Sequence, residues 1–261
     1  DEVAAAVEKA GFGYLMPPSD MTRYGAVETK DEGLKYAEWL GEHIGEYDGL
    51  IMSLPNFSDE NGAVAAVRDC GVPIFIQAYP DEIGKMDFDH RRDSYCGKFS
   101  ICDVFHQYKI PFTIMPPHVV HPNTDAFAKN LSDFAAVCRV VNGMKRFTIG
   151  VIGARTTKFK TVRYDEITLQ KYGITCDTYD LSELFYRVEK MDGNSAAVKA
   201  KIEKLIGYTD FSSVPKDKTE TLAKVSVAID DMMREYHLDC ITLRCWEEMQ
   251  TVLGIAPCVL L

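Results

Sequence analysis

Short apolar runs alternate with amphipathic stretches along the 261-residue chain. In the first half, residues 12–16, 49–54, 72–79 and 110–115 read as strands. Each run is short and apolar and closes at Pro or Gly, as strands buried on both faces of a parallel sheet do. Between them, Leu34, Ala37, Leu40 and Ile44 recur at helical spacing. Phe127, Leu131, Phe134, Cys138 and Val141 do so more strongly, and Asn142-Gly143 supplies a helix stop after them. Past Gly143 the pattern restarts, with strands expected at 147–152, 175–179, 240–243 and 256–261 and helices at 162–172, 196–206 and 220–236. Such alternation implies parallel sheets covered on both faces. The expected fold class is therefore α/β, with two doubly wound domains over residues 1–142 and 143–261.

The two ends carry an expectation of their own. The chain opens inside a helix-like stretch at Asp1 and closes on the apolar run APCVLL, which reads as a core strand. An ordered terminus must be tied down, so both ends read as cuts from a longer polypeptide. A naturally short protein with a terminal edge strand is the alternative.

Composition narrows the classes. With 46% hydrophobic and 26% charged residues, the chain can bury a core and is not a disordered polymer. A net charge of −10 offers no broad electropositive face, which argues against a nucleic-acid partner. No run of eighteen apolar residues and no signal peptide is present, so neither a membrane span nor export is expected. None of the eight cysteines has Cys-x-x-Cys spacing, and most sit in apolar stretches. Buried free thiols in a reducing cytoplasm is the simpler reading, with a zinc site as the other.

Ligands of open α/β sheets bind beyond the carboxyl ends of the strands, so the loops that follow each strand hold the candidate chemistry. Asn56, Gln77 and Tyr79 carry neutral hydrogen-bonding groups that suit a polyhydroxylated ligand. Asp59, Glu60, Asp81, Glu82 and Asp93 are either helix caps or ligand contacts, since carboxylates favour helix N-termini. Arg91 and Arg92, with the stretch from Arg155 through Arg163 to Tyr164, bring cations that can anchor an acidic group or pair with Asp. The latter stretch lacks Walker spacing, and no strand is followed by Gly-x-Gly-x-x-Gly, so dinucleotide binding has no support. His118 and His121 stand three apart, a spacing open to a metal, but no carboxylate or Cys nearby completes a set. No Gly-x-Ser-x-Gly elbow occurs. In RCWEEMQ, Trp246 is either a core cap or an aromatic platform at a cleft. Glu247 and Glu248 are either first-turn residues or ligand contacts, and two glutamates alone hold a divalent cation poorly.

Taken in order, TRYGAVET, DGLIMSLPNFSDE, QAYPDEIGKMD, RRDSYCGK, FAAVCRVVNG, IGARTTKFKTVRYDE and CWEEMQ followed by GIAPC resemble the L-fucose/L-arabinose isomerase family. The likeness is greatest to its shorter, fucose isomerase-like members and runs almost end to end. It implies two Rossmann-like domains with parallel sheets, followed by a C-terminal catalytic domain absent from this chain. It also implies aldose–ketose interconversion through an ene-diol, with a divalent cation, usually manganese, on O1 and O2 and a carboxylate moving the proton. Most of the family's metal ligands would fall past Leu261, with Glu247 or Glu248 as a further candidate, so no bound metal is expected in this stretch. Family members assemble as trimers or hexamers in which N-terminal loops of one subunit close the sugar site of the next. By that resemblance Asn56, Glu60, Gln77, Tyr79, Arg91, Arg92 and Asp93 would contact sugar, as would Arg155, Arg163, Tyr164, Arg244 and Trp246. Arg244 stands where the family often has Gln, which leaves the sugar open, an anionic one included. The chain is expected to be inactive alone. A sugar-binding module of periplasmic-binding-protein type and a degenerate homologue with an assembly role are the other readings.

Overall fold

The computed structural model describes residues 1–260 and divides the chain into two compact units, Asp1–Gly143 and Met144–Leu261. The first unit runs α1 (Glu2–Lys9), α2 (Lys30–Glu42), β1 (Leu50–Leu54), α3 (Glu60–Val67), β2 (Ile74–Ala78), α4 (Ser94–Gln107) and α5 (Asp125–Met144). β1 and β2 pair in parallel from Leu50↔Ile74 to Leu54↔Ala78. Every residue of β2 is buried, and successive side chains serve opposite faces. Ile74 and Ile76 pack with Leu54, Val64, Ile101 and Phe105, whereas Phe75 packs with Phe127, Leu131, Phe134 and Cys138. The apolar stripe of α5 read from the sequence is this second face as far as Cys138, while Val141 is exposed one turn beyond it. Thr29 caps α2 and Asp59 caps α3, each side chain accepting a backbone N–H of the first turn. The two helices approach so closely that a Cβ on Gly33 would stand 2.3 Å from the Gly62 carbonyl oxygen.

The second unit runs β3 (Phe147–Ile152), α6 (Glu166–Lys171), β4 (Ile174–Tyr179), α7 (Leu181–Lys190), α8 (Ala196–Tyr208), α9 (Lys216–Glu235), β5 (Cys240–Leu243), α10 (Glu248–Val252) and a closing 3-10 turn, Pro257–Leu260. The strands lie in parallel order β4-β3-β5. α9 is the centre of the unit: Ala223, Val225, Ala228 and Met232 are wholly buried and share one core with Ile152, Leu184 and Val198.

The mixed α/β class with parallel strands holds, in two small sheets rather than two sets of four strands. Residues 12–16 form no strand; Phe12, Tyr14, Leu15 and Met16 are exposed, because an apolar run without a ladder neighbour has nowhere to bury. Residues 110–115 reach β2 only through a bridge at Phe75↔Thr113, since Pro111 has no N–H to donate and Pro116 follows. The run at 256–260 is a 3-10 turn, Pro257 again breaking the ladder; Leu261 lies outside the described residues. The helix expected at 162–172 starts only at Glu166, where Asp165 caps it by accepting the Thr168 N–H. α5 passes through Asn142-Gly143, because Gly143 keeps a negative φ and Asn142 turns its side chain to Asp48. α4 and α7 add to the expected helices.

Candidate functional site

In the first unit, four segments meet at the carboxyl ends of β1 and β2. The Phe57 N–H donates to the Arg92 carbonyl at 2.8 Å. The Arg92 guanidinium donates to the Pro55 carbonyl at 3.2 Å and to Glu82 Oε1 at 3.0 Å, and lies 5.4 Å from the centre of the Tyr79 ring. The Asp81 carboxylate accepts the backbone N–H groups of Arg92 and Asp93 at 2.7 and 3.2 Å. The Ser94 hydroxyl donates to the Tyr79 carbonyl, and Gly97 sits so flush on the first loop that a Cβ would meet Phe57 Cα at 3.1 Å.

Tyr79 ties this rim to the N-terminal helix. Its hydroxyl donates to Glu2 Oε2 at 3.0 Å, and the His121 ring meets it edge-on, with Nε2 3.7 Å from Glu2 Oε1. Burial first, and then the Glu2 carboxylate, push the Tyr79 phenol up to about 12, against a smaller opposing pull from Arg92. Glu82 is held below the usual carboxylate range by Lys85 and then Arg92.

The residues singled out from the sequence divide here. Asn56 and Arg91 are exposed at the rim, and Glu60 is a half-buried first residue of α3. Asp93 takes a left-handed backbone (φ 57) and places its carboxylate 3.5 Å from Arg91. Gln77 is wholly buried: its amide donates to the Val120 carbonyl at 2.7 Å and its oxygen accepts from Ser53 Oγ at 2.6 Å. Its polar groups therefore hold the sheet to residue 120 instead of standing on the surface. Asp59 is the cap of α3, with Oδ1 2.5 Å from the Gly62 nitrogen. Glu2 and Ser94 take part without having been singled out, because nothing local marks a partner so far along the chain.

In the second unit the strand order reverses at β3, and the loops after β3 and β5 lie at that reversal. The Arg244 N–H donates to the Ile152 carbonyl at 2.9 Å. The chain leaves β3 through Gly153 at φ +84, where a Cβ would lie 2.9 Å from Arg244 Cβ. Arg244 donates from Nε to the Trp246 carbonyl at 2.9 Å and from Nη2 to Glu248 Oε1 at 2.7 Å, while Glu248 Oε2 is covered and has no hydrogen-bond partner. Lys158 pairs with Glu247, and the Phe159 ring lies 5.2 Å from Trp246, which is 43% exposed. Arg155 donates to the Phe159 carbonyl at 2.7 Å and Arg163 to the Lys160 carbonyl at 3.2 Å. Arg155, Arg244 and Trp246 are thus brought together, Arg163 folds back on its own loop, and Tyr164 is exposed.

A metal does not fit these groups. Glu247 and Glu248 are each committed to a cation, and among the described residues no cluster of three or more His, Cys, Asp or Glu could hold one.

Residues 1–145, the whole first unit with its rim, match the N-terminal domain family of fucose/sulfoquinovose isomerases. The chain belongs to this family. Sulfoquinovose isomerases of Priestia aryabhattai and Priestia megaterium are each 27% identical to it over 172 residues, covering 64% of this chain and 37% of theirs. The chain therefore spans little more than a third of the length of the curated relatives it matches. The family likeness read from the motifs stands, and the rim of the first unit lies within the matched residues. No described helix is long and apolar enough to cross a membrane.

Proposed function

We propose that this chain is the substrate-enclosing part of an aldose–ketose isomerase, built as two doubly wound Rossmann-like units and working in the cytoplasm as a homo-trimer or hexamer. The observation that carries the reading is the family match over the unit whose loops converge beyond β1 and β2. Carboxyl-end loops are where open parallel sheets bind ligands. Asn56, Glu60, Arg91 and Asp93 offer donors and acceptors there, and Arg92 and Tyr79 keep the loops in place. In the second unit Arg155, Arg244 and Trp246 form the corresponding surface, with Arg163 and Tyr164 on the same loop as Arg155.

The sugar is of the fucose or sulfoquinovose kind. A sulfonate would find its complement in an exposed guanidinium such as that of Arg91, which offers a planar fork of donors. Manganese, the family's usual cation, would be held by polypeptide other than the described residues and would polarise the sugar oxygens there. What these residues contribute is orientation of the sugar and exclusion of water while a proton moves between neighbouring carbons.

The test compares this 261-residue chain with the product of its whole gene, following fucose and sulfoquinovose by carbon NMR with and without manganese. The long protein should interconvert one of these sugars with its ketose, and the chain alone should not. Turnover by the chain alone would contradict its being an enclosing part. A long protein that turns over neither sugar, nor any other aldose, would remove the isomerase reading.

A further inference from the structure

Lys98 is 3% exposed, and its electrostatic neighbour is the Cys102 thiol rather than a carboxylate. Its Nζ donates to the His118 carbonyl at 2.8 Å, and among the described residues no carboxylate pairs with it. An ammonium taken out of water opposite a single carbonyl has lost its hydration without regaining an equivalent partner. Burial accordingly pulls the Lys98 amine below the usual lysine range.

Lys98 is among the residues lining a cavity of about 440 Å³ that opens to solvent along α4. Tyr95, Phe99, Cys102 and His106 recur on one face of that helix and form one wall, and Phe112, Ile114 and His118 form the other. The adjacent face of α4 carries Ile101 and Phe105 into the core, so Lys98 sits between the core and the cavity. Asp103 is the one carboxylate in the lining, and its Oδ2 accepts from Gln107 at 2.7 Å. An apolar cleft with one buried cation and aromatic walls has the make-up of a small-ligand site.

We infer that this cavity binds a small organic anion, whose carboxylate, sulfonate or phosphate group meets Lys98 while its apolar body lies against Tyr95, Phe99 and Phe112. The site is separate from the rim residues assigned to sugar above and does not rest on the isomerase reading. The anion is either a substituent of the sugar substrate or a separate metabolite, and the chemistry recognised is the same.

Calorimetric titration of the chain with benzenesulfonate, benzoate and phenyl phosphate tests it, with benzyl alcohol as the neutral control. At least one anion should bind about tenfold or more tightly than the alcohol, the discrimination of a charge-assisted hydrogen bond, and Lys98→Met should abolish that preference. The wild-type chain supplies a measurement that needs no variant. Acetylation of Lys98 by acetic anhydride, read by peptide mass spectrometry, should slow when the bound anion is present while surface lysines react unchanged. Displacement of benzenesulfonate by sulfoquinovose would identify the sugar as the source of the anion, and its persistence would identify a separate metabolite. Equal binding of anion and alcohol, no binding of any probe at millimolar concentration, or an unprotected Lys98 would each overturn the inference.

Discussion

Asp81 is the tie that holds the Arg91–Asp93 turn on the rim of the first unit, and its removal has a calculable effect. One oxygen, Oδ1, accepts two backbone N–H groups, from Arg92 at 2.7 Å and Asp93 at 3.2 Å. A hydrogen bond to a charged group contributes about 1.5–3 kcal/mol net. The site is only half-buried and the longer bond is the weaker, so Asp81→Ala should cost about 2 kcal/mol for the pair. Asp81→Asn keeps an oxygen in the same place without the charge and should lose about half as much. The readout is amide hydrogen exchange at Arg92 and Asp93, where 2 kcal/mol corresponds to roughly 30-fold faster opening. A urea titration of the same variants reports how much of that loss reaches the whole unit. Because the Arg92 guanidinium reaches Pro55 and Glu82 from this turn, the variant should also loosen the loops after β1 and β2. Unchanged exchange at both amides in Asp81→Ala, or an Asn variant as damaged as the Ala variant, would refute the reasoning.

Two more outcomes follow from the geometry. Gly153→Ala forces an L-residue to φ +84 and drives a methyl to 2.9 Å from Arg244 Cβ, so urea unfolding should show the second unit destabilised by about 2 kcal/mol, with Trp246 emission shifted; stability within error of wild type would contradict it. Tyr79, pushed up to about 12 by burial and Glu2, stabilises the fold through its neutral form. Its contribution is fully present below the ordinary tyrosine value of 10.0 and is lost as pH rises through about 12. Phenolate absorbance of the wild type minus that of Tyr79→Phe should therefore show a late-titrating group, and titration of that group near 10 would count against the Glu2 contact.

How far the sequence was legible varied with the range of the interaction concerned. β2 coincides with an apolar run because burial on both faces leaves no place for a polar residue except one with partners, as Gln77 has, whereas the edge strand β4 admits Thr175, Asp177 and Thr178 and was legible from its place in the strand–helix alternation. α5 and α9 were readable for the complementary reason, since a long helix against a core repeats its apolar positions every three to four residues. The run at residues 12–16 misled because an apolar pattern records what could be buried, and pairing decides whether it is. Proline at 111 and 257 was the local warning for the two other runs that failed to become strands.

By itself, the sequence determined the α/β class, the position of most strands and long helices, and the order of motifs that agrees with the N-terminal domain family of fucose/sulfoquinovose isomerases. Periodicity and caps act over a few residues, so they can be read along a line. Only the tertiary structure decided which polar side chains are spent inside the protein and which stand free. Gln77 finds Val120 at a separation of 43 residues and Tyr79 finds Glu2 at 77, while Lys98 is buried by the fold with a carbonyl and no anion. A hydrogen-bond partner is chosen by proximity in space, and nothing in the local pattern of a chain records that distance.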